Sequence, residues 1–148
     1  MQVLSVRQPW AWAIARGHKE VENRTWDTPY RGQLAIHASL RVDTDSLELP
    51  LVRDAGWDPA DPLAATGGIV AVVTLAGMCG AAKVGQPCGC GDWAEPKSYH
   101  WRLSDIVALA QPVMTIGQPS LWTPGPAVAA ALAEALSGQP RRAGQLTR

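Results

Sequence analysis

Phenylalanine is missing altogether from the 148 residues, while tryptophan occurs seven times. Indoles must therefore supply most of the aromatic bulk, and each carries an N–H that needs a partner when buried. No sign of charge dominates, since 13 basic residues balance 13 acidic ones. This excludes the global basicity of a strong duplex binder, so any affinity for nucleic acid has to come from a local patch. No apolar run is as long as a membrane span, and no signal-peptide pattern opens the chain. A cytoplasmic monomer with no membrane partner is the expectation. The three cysteines, Cys79, Cys88 and Cys90, are few and odd in number, so structural disulfides are not expected. Glycine-rich phosphate loops of the Walker or dinucleotide type are absent, as are internal repeats.

The length suits one domain, assigned to residues 1–138. Residues 139–148 lack an apolar anchor and end basic, which reads as a flexible C-terminal tail. Short β-rich runs cover 2–6, 22–26 and 33–39. A short helix is expected over 9–16, with free N–H groups around Trp10 to Trp12 able to receive an anion. A second helix is expected over 43–55, with Asp45 and Glu48 at capping-box spacing. The run 67–76 is apolar on both faces, as in a strand of a closed or nearly closed barrel. A long Gly-, Pro- and Cys-rich loop spans 78–96, followed by extended pieces at 99–102, 106–109 and 112–116. Thr123 and Pro124 read as the start of an alanine-rich helix over 127–136.

The most informative stretch is Gly17-His18-Lys19-Glu20-Val21-Glu22-Asn23-Arg24. Gly17 follows the periodic Trp10, Ala13 and Ile14, which makes it a helix C-terminal cap with positive φ. If a strand has begun by Glu22, then Glu22, Arg24 and Trp26 share a face, and Lys19 is close enough to join them. Taken by itself, such a run is usually a solvated turn.

The fixed positions Gly17, Lys19, Glu22 and Arg24 match the G-x-K-x-x-E-x-R signature of the ASCH domain family. Ser5-Val6-Arg7-Gln8-Pro9-Trp10-Ala11 resembles the family's opening, and Arg31 to Ser39 its following strand. Similarity continues through Tyr99-His100-Trp101 to Leu121-Trp122. The resemblance implies an α+β fold, a PUA-like β-pseudobarrel of about six strands with two or three short helices. The signature would lie at the mouth of a cleft between the first helix and the barrel.

Two functions follow from the resemblance. One is binding of single-stranded RNA, another single-stranded nucleic acid or a modified nucleoside, through Gln8, Lys19, Glu22, Arg24, Trp26, Arg31, His37 and Ser39. Lys19, Arg24, Arg7 and Arg31 would form its positive rim. Trp26 is the stacking candidate, with Trp10 and Trp122 assigned to the core. The other is hydrolysis of RNA or of a modified nucleoside such as N4-acetylcytidine, with Lys19 and Glu22 catalytic. Two departures count against the enzyme. Glu22 stands where those enzymes carry threonine, and Thr74-Leu75-Ala76-Gly77 offers no acid at the end of the apolar strand. No Ser–His–Asp arrangement can be argued from the spacing of His37, Ser39 and His100. Cys79, Cys88, Cys90 and His100 have the makings of a Cys₃His site, but C-x-C departs from the usual C-x₂₋₄-C knuckle. No metal or other cofactor is assigned.

Overall fold

A computed structural model describes residues 1–138, so the expected tail at 139–148 lies outside the described residues. Its strands are β1 (Gln2–Gln8), β2 (Val21–Arg24), β3 (Gly32–Val42), β4 (Gly68–Cys79), β5 (Tyr99–Met114) and β6 (Leu121–Trp122). Its α-helices are α1 (Trp10–Ala15), α2 (Pro50–Asp54) and α3 (Pro126–Ser137). The strands form one mixed sheet in the order β2-β5-β4-β3-β1-β6, in which β1 and β3 run parallel and the other neighbours antiparallel. The class is α+β, as the resemblance implies.

The barrel, however, is not closed. Among the described residues β2 and β6 end the sheet on opposite sides without pairing. Burial of β4 on both faces has a different cause. On one side its side chains join Ala11, Trp12 and Ile14 of α1. On the other, Ile69 and Val72 pack with Leu132 of α3, Val3, Leu109 and Trp122. A helix on each face removes water from a central strand as completely as ring closure would.

The helix expected over 43–55 is broken. A 3₁₀ turn covers Thr44–Glu48, Leu49 is extended at φ −63 and ψ 135, and α2 begins at Pro50. Proline drives the residue before it out of the helical region, which accounts for the break. The capping box does not form either. Asp43 instead accepts hydrogen bonds from Ser46 Oγ at 2.6 Å and Trp10 Nε1 at 3.1 Å.

Two strands are longer than expected. β4 continues through Met78 and Cys79, and β5 runs unbroken through three expected pieces, with Asp105 at φ 47. Gly125 rather than Thr123 precedes α3, whose first residue is Pro126. No helix among the described residues is long and apolar enough to cross a membrane.

Candidate ligand-binding cleft

The site begins with the way α1 stops. Gly17 takes φ +80, and the amides of Gly17, His18 and Lys19 turn back onto the carbonyls of Ile14 and Ala13. No neighbour would touch a Cβ at Gly17, so glycine is required there for backbone conformation alone. The turn drives Lys19 inward until it is almost fully buried. Its ammonium donates to Val21 O at 2.6 Å and to Glu22 Oε1 at 2.7 Å.

Glu22 is the hub. Its second oxygen accepts from Arg24, with Nη2 at 2.9 Å and Nε at 3.1 Å. Arg24 Nη2 also donates to Ser5 O at 2.6 Å, tying β2 to β1 across the cleft floor. Burial pushes the Glu22 carboxyl up, but the charges and hydrogen bonds of Lys19 and Arg24 outweigh it. The group stays below its ordinary 4.5 and is ionised at neutral pH.

Above this string lies a cleft of about 670 Å³, whose lining includes Trp10, Trp26, Trp93, Arg7, Asp43 and Ser39. Trp10 is not a core residue as expected. Its indole is half-buried, anchored by Nε1 to Asp43, with the Lys19 ammonium 6.0 Å from the ring centre. Trp93 meets it edge-on, with ring centres 6.2 Å apart at 88°. Trp26 lines the cleft half-buried, its ring edge-to-face with the fully buried Trp101.

Other candidates lie elsewhere. Gln8 is fully buried. Its Nε2 donates to Leu63 O and Ala65 O, and its Oε1 accepts the Trp12 N–H at 2.8 Å. That last bond occupies the N–H expected to receive an anion, so Gln8 caps α1 instead of facing a ligand. Arg31 is exposed and donates to the carbonyls of Thr28 and Tyr30 in its own turn, outside the cleft lining. His37 is buried in the neighbouring groove, its Nδ1 accepting from Ser5 Oγ at 2.9 Å and its Nε2 donating to Thr115 O at 2.8 Å. Ser39 and Ser5 line both groove and cleft.

The ASCH domain model matches residues 4–112, well over half of the chain. The chain belongs to the ASCH domain family. A solved structure of a mutant ZmASCH protein from Zymomonas mobilis superposes with a TM-score of 0.55 over 90% of this chain and 96% of that one. At 14% identity this likeness concerns the fold alone. Activating signal cointegrator 1 is 55% identical over 38 residues in Homo sapiens and 56% over 36 residues in Mus musculus. Those matches span 26% and 24% of this chain but only 6% of either relative.

Within this ASCH domain, three contributors escaped sequence reasoning. Asn23 points away from the ion pairs, donating through Nδ2 to Trp93 O at 2.9 Å and accepting the Glu95 N–H through Oδ1 at 2.8 Å. Trp93 belongs to a loop whose composition gave no hint of its destination. Asp43 stands where a helix is expected to start, and its carboxylate instead anchors the Trp10 indole. The available signal was the variable position between Glu22 and Arg24, where an amide on a short strand can bind neighbouring backbone.

Proposed function

We propose that this ASCH domain binds single-stranded RNA, or a modified nucleoside, by taking one unstacked base into the signature cleft. The observation that carries this reading is the buried Lys19–Glu22–Arg24 string on a floor overlooked by Trp10 and Trp93. Indoles offer every base a stacking face, and a few fixed polar groups then read its edge. The lining holds three cations, Arg7, Lys19 and Arg24, against four carboxylates, Glu22, Asp43, Asp92 and Glu95. That balance favours a neutral, polar base edge over a run of phosphates. Exposed Arg7 remains free to meet a backbone phosphate at the rim. The family's likeness to PUA-type RNA binders points the same way, and three thiols outside any disulfide suit a reducing cytoplasm.

The test is a titration of the protein with short RNA and DNA strands and with modified nucleosides, N4-acetylcytidine among them, followed by tryptophan fluorescence. Saturable binding is expected, weakened roughly tenfold by Trp10→Ala, as loss of one stacked base predicts. Arg7→Ala should flatten the salt dependence by about one phosphate contact. No binding to any strand or nucleoside would reject the reading.

A hydrolase is the second reading, favoured by the 2.7 Å contact between a buried ammonium and a carboxylate. Against it, both Glu22 oxygens are already engaged and Lys19 and Arg24 lower the carboxylate's affinity for a proton, which suits a positioning group better than a proton acceptor. Turnover of N4-acetylcytidine or RNA that disappears in Lys19→Met, with binding retained, would establish the enzyme.

A further inference from the structure

We propose that Cys79, Cys88, Cys90 and His100 form a structural zinc site that pins the loop between β4 and β5 against the sheet. One ligand atom from each residue lies within 4.8 Å of all the others. A tetrahedral zinc with Zn–S bonds of about 2.3 Å sets its sulfurs roughly 3.8 Å apart, so closure asks for a movement of about 1 Å.

Half of the site is built into the sheet. Cys79 and His100 are direct register partners on β4 and β5. The other half comes from the loop, which explains why the zinc-knuckle spacing is not needed. Cys88 and Cys90 close onto a strand pair instead of forming a self-contained turn. Gly85 at φ 77 and Gly91 at φ 91 turn the backbone on either side of them.

His100 is already arranged as a ligand. Its Nε2 lies 2.6 Å from Glu95 O, an acceptor only, so that nitrogen carries the proton. Nδ1 is left with its lone pair toward Cys88 Sγ at 3.3 Å. Metal-binding imidazoles are characteristically oriented in this way, by a carbonyl on the far nitrogen. Three thiolates around Zn²⁺ leave one negative charge, and the Arg102 guanidinium lies against Cys79 and Cys90 to balance it. Ala82 is buried and Trp93 packs half-buried against the core, but the stretch 83–92 between them, which carries Cys88 and Cys90, has no apolar anchor of its own. Metal ligation can supply the holding energy that a core would otherwise provide. Four protein ligands leave no open position, so the site is structural and not catalytic.

The test is metal analysis of untagged protein purified without chelator, then Co²⁺ substitution read by its thiolate charge-transfer and d–d bands. About one zinc per chain and a tetrahedral Co²⁺ spectrum are expected. Cys88→Ser, at an exposed position, and Cys90→Ser should each lose the metal while remaining folded. Faster amide exchange across residues 80–98 should accompany the loss. Absence of zinc, with no thiolate–Co²⁺ band on titration of the reduced protein, would overturn the proposal. So would fewer than three titratable thiols once the purified protein is denatured with a chelator present and no reductant, because two would then form a disulfide. Every readout is taken with the cleft empty, so the outcome is independent of what the cleft binds.

Discussion

Asn23 and Trp93 lie 70 positions apart, and the amide of one holds the carbonyl of the other at 2.9 Å. Because the same side chain accepts the Glu95 N–H, one residue of the signature strand positions an aromatic wall of the cleft. Asn23→Ala should free this segment. Water can reach both released groups, so the stability loss should be modest, about 1–2 kcal/mol. Exchange of the Glu95 amide should accelerate well beyond that global change, and base binding should weaken through Trp93. Unaltered Glu95 exchange would mean that the loop is held by other contacts.

Glu22→Gln looks conservative and should not be. Glutamine keeps the shape but leaves a buried ammonium without its counter-charge and weakens the hold on Arg24. Loss of one partner from a buried pair costs about 3–5 kcal/mol, which chemical denaturation would detect directly. Lys19→Met added to Glu22→Gln should recover part of that loss, since the stranded charge is then gone. Strict additivity of the two single effects would argue that the pair is not coupled.

Acid should unfold the protein in stages. Burial holds the His37 imidazole below its ordinary 6.5, partly offset by the Thr115 carbonyl. Glu22 lies below 4.5, and hydrogen bonding from Arg16 first of all brings Asp61 down to about 2. All three values are depressed in the folded state, so their contributions are complete above the unfolded values and drain away as pH falls. The contribution of these three groups should be flat above about pH 6.5, decline below it, and fall again from 4.5 toward about 2. Asp61→Asn should flatten the lowest limb of a plot of denaturation midpoint against pH. Stability that rises on acidification would contradict this account.

Gly117→Ala tests the junction between cleft and groove. A Cβ there would stand 2.7 Å from His37 Cε1 and 2.8 Å from Ser5 Oγ, and the His37 ring is buried and bonded at both nitrogens. The ring cannot retreat without losing one of those bonds, so a cost of about 1–3 kcal/mol is expected. A shifted His37 titration, read by NMR, would locate the damage.

Much of this was legible because it is local. Gly17 announces its own conformation, and the alternation of charges after it places Lys19, Glu22 and Arg24 together once β2 is extended. Local spacing also limits what can be seen. Gln8 and Trp10 sit two residues apart, and local spacing points Gln8 to the cleft and Trp10 to the core, the reverse of where they lie. Gln8 finds its partners at Leu63 and Ala65, and Trp10 finds its own at Asp43 and Trp93, all distant in the chain. The break at Pro50 was readable from proline chemistry but was masked by the apolar periodicity of Leu47, Leu51 and Val52. The doubly apolar β4 pointed to ring closure because periodicity reports burial, not the identity of the covering layer.

Six of the seven tryptophans are engaged in perpendicular pairs, Trp10 with Trp93, Trp12 with Trp57 and Trp26 with Trp101. Each pair joins segments far apart in sequence, and orthogonal indoles at such short separations couple their electronic transitions. The near-ultraviolet circular dichroism of this chain should therefore act as a distance gauge built from native residues. Subtracting the spectrum of Trp93→Leu isolates the pair that spans the cleft. Loop detachment can then be followed optically and separately from global unfolding, without attaching a probe.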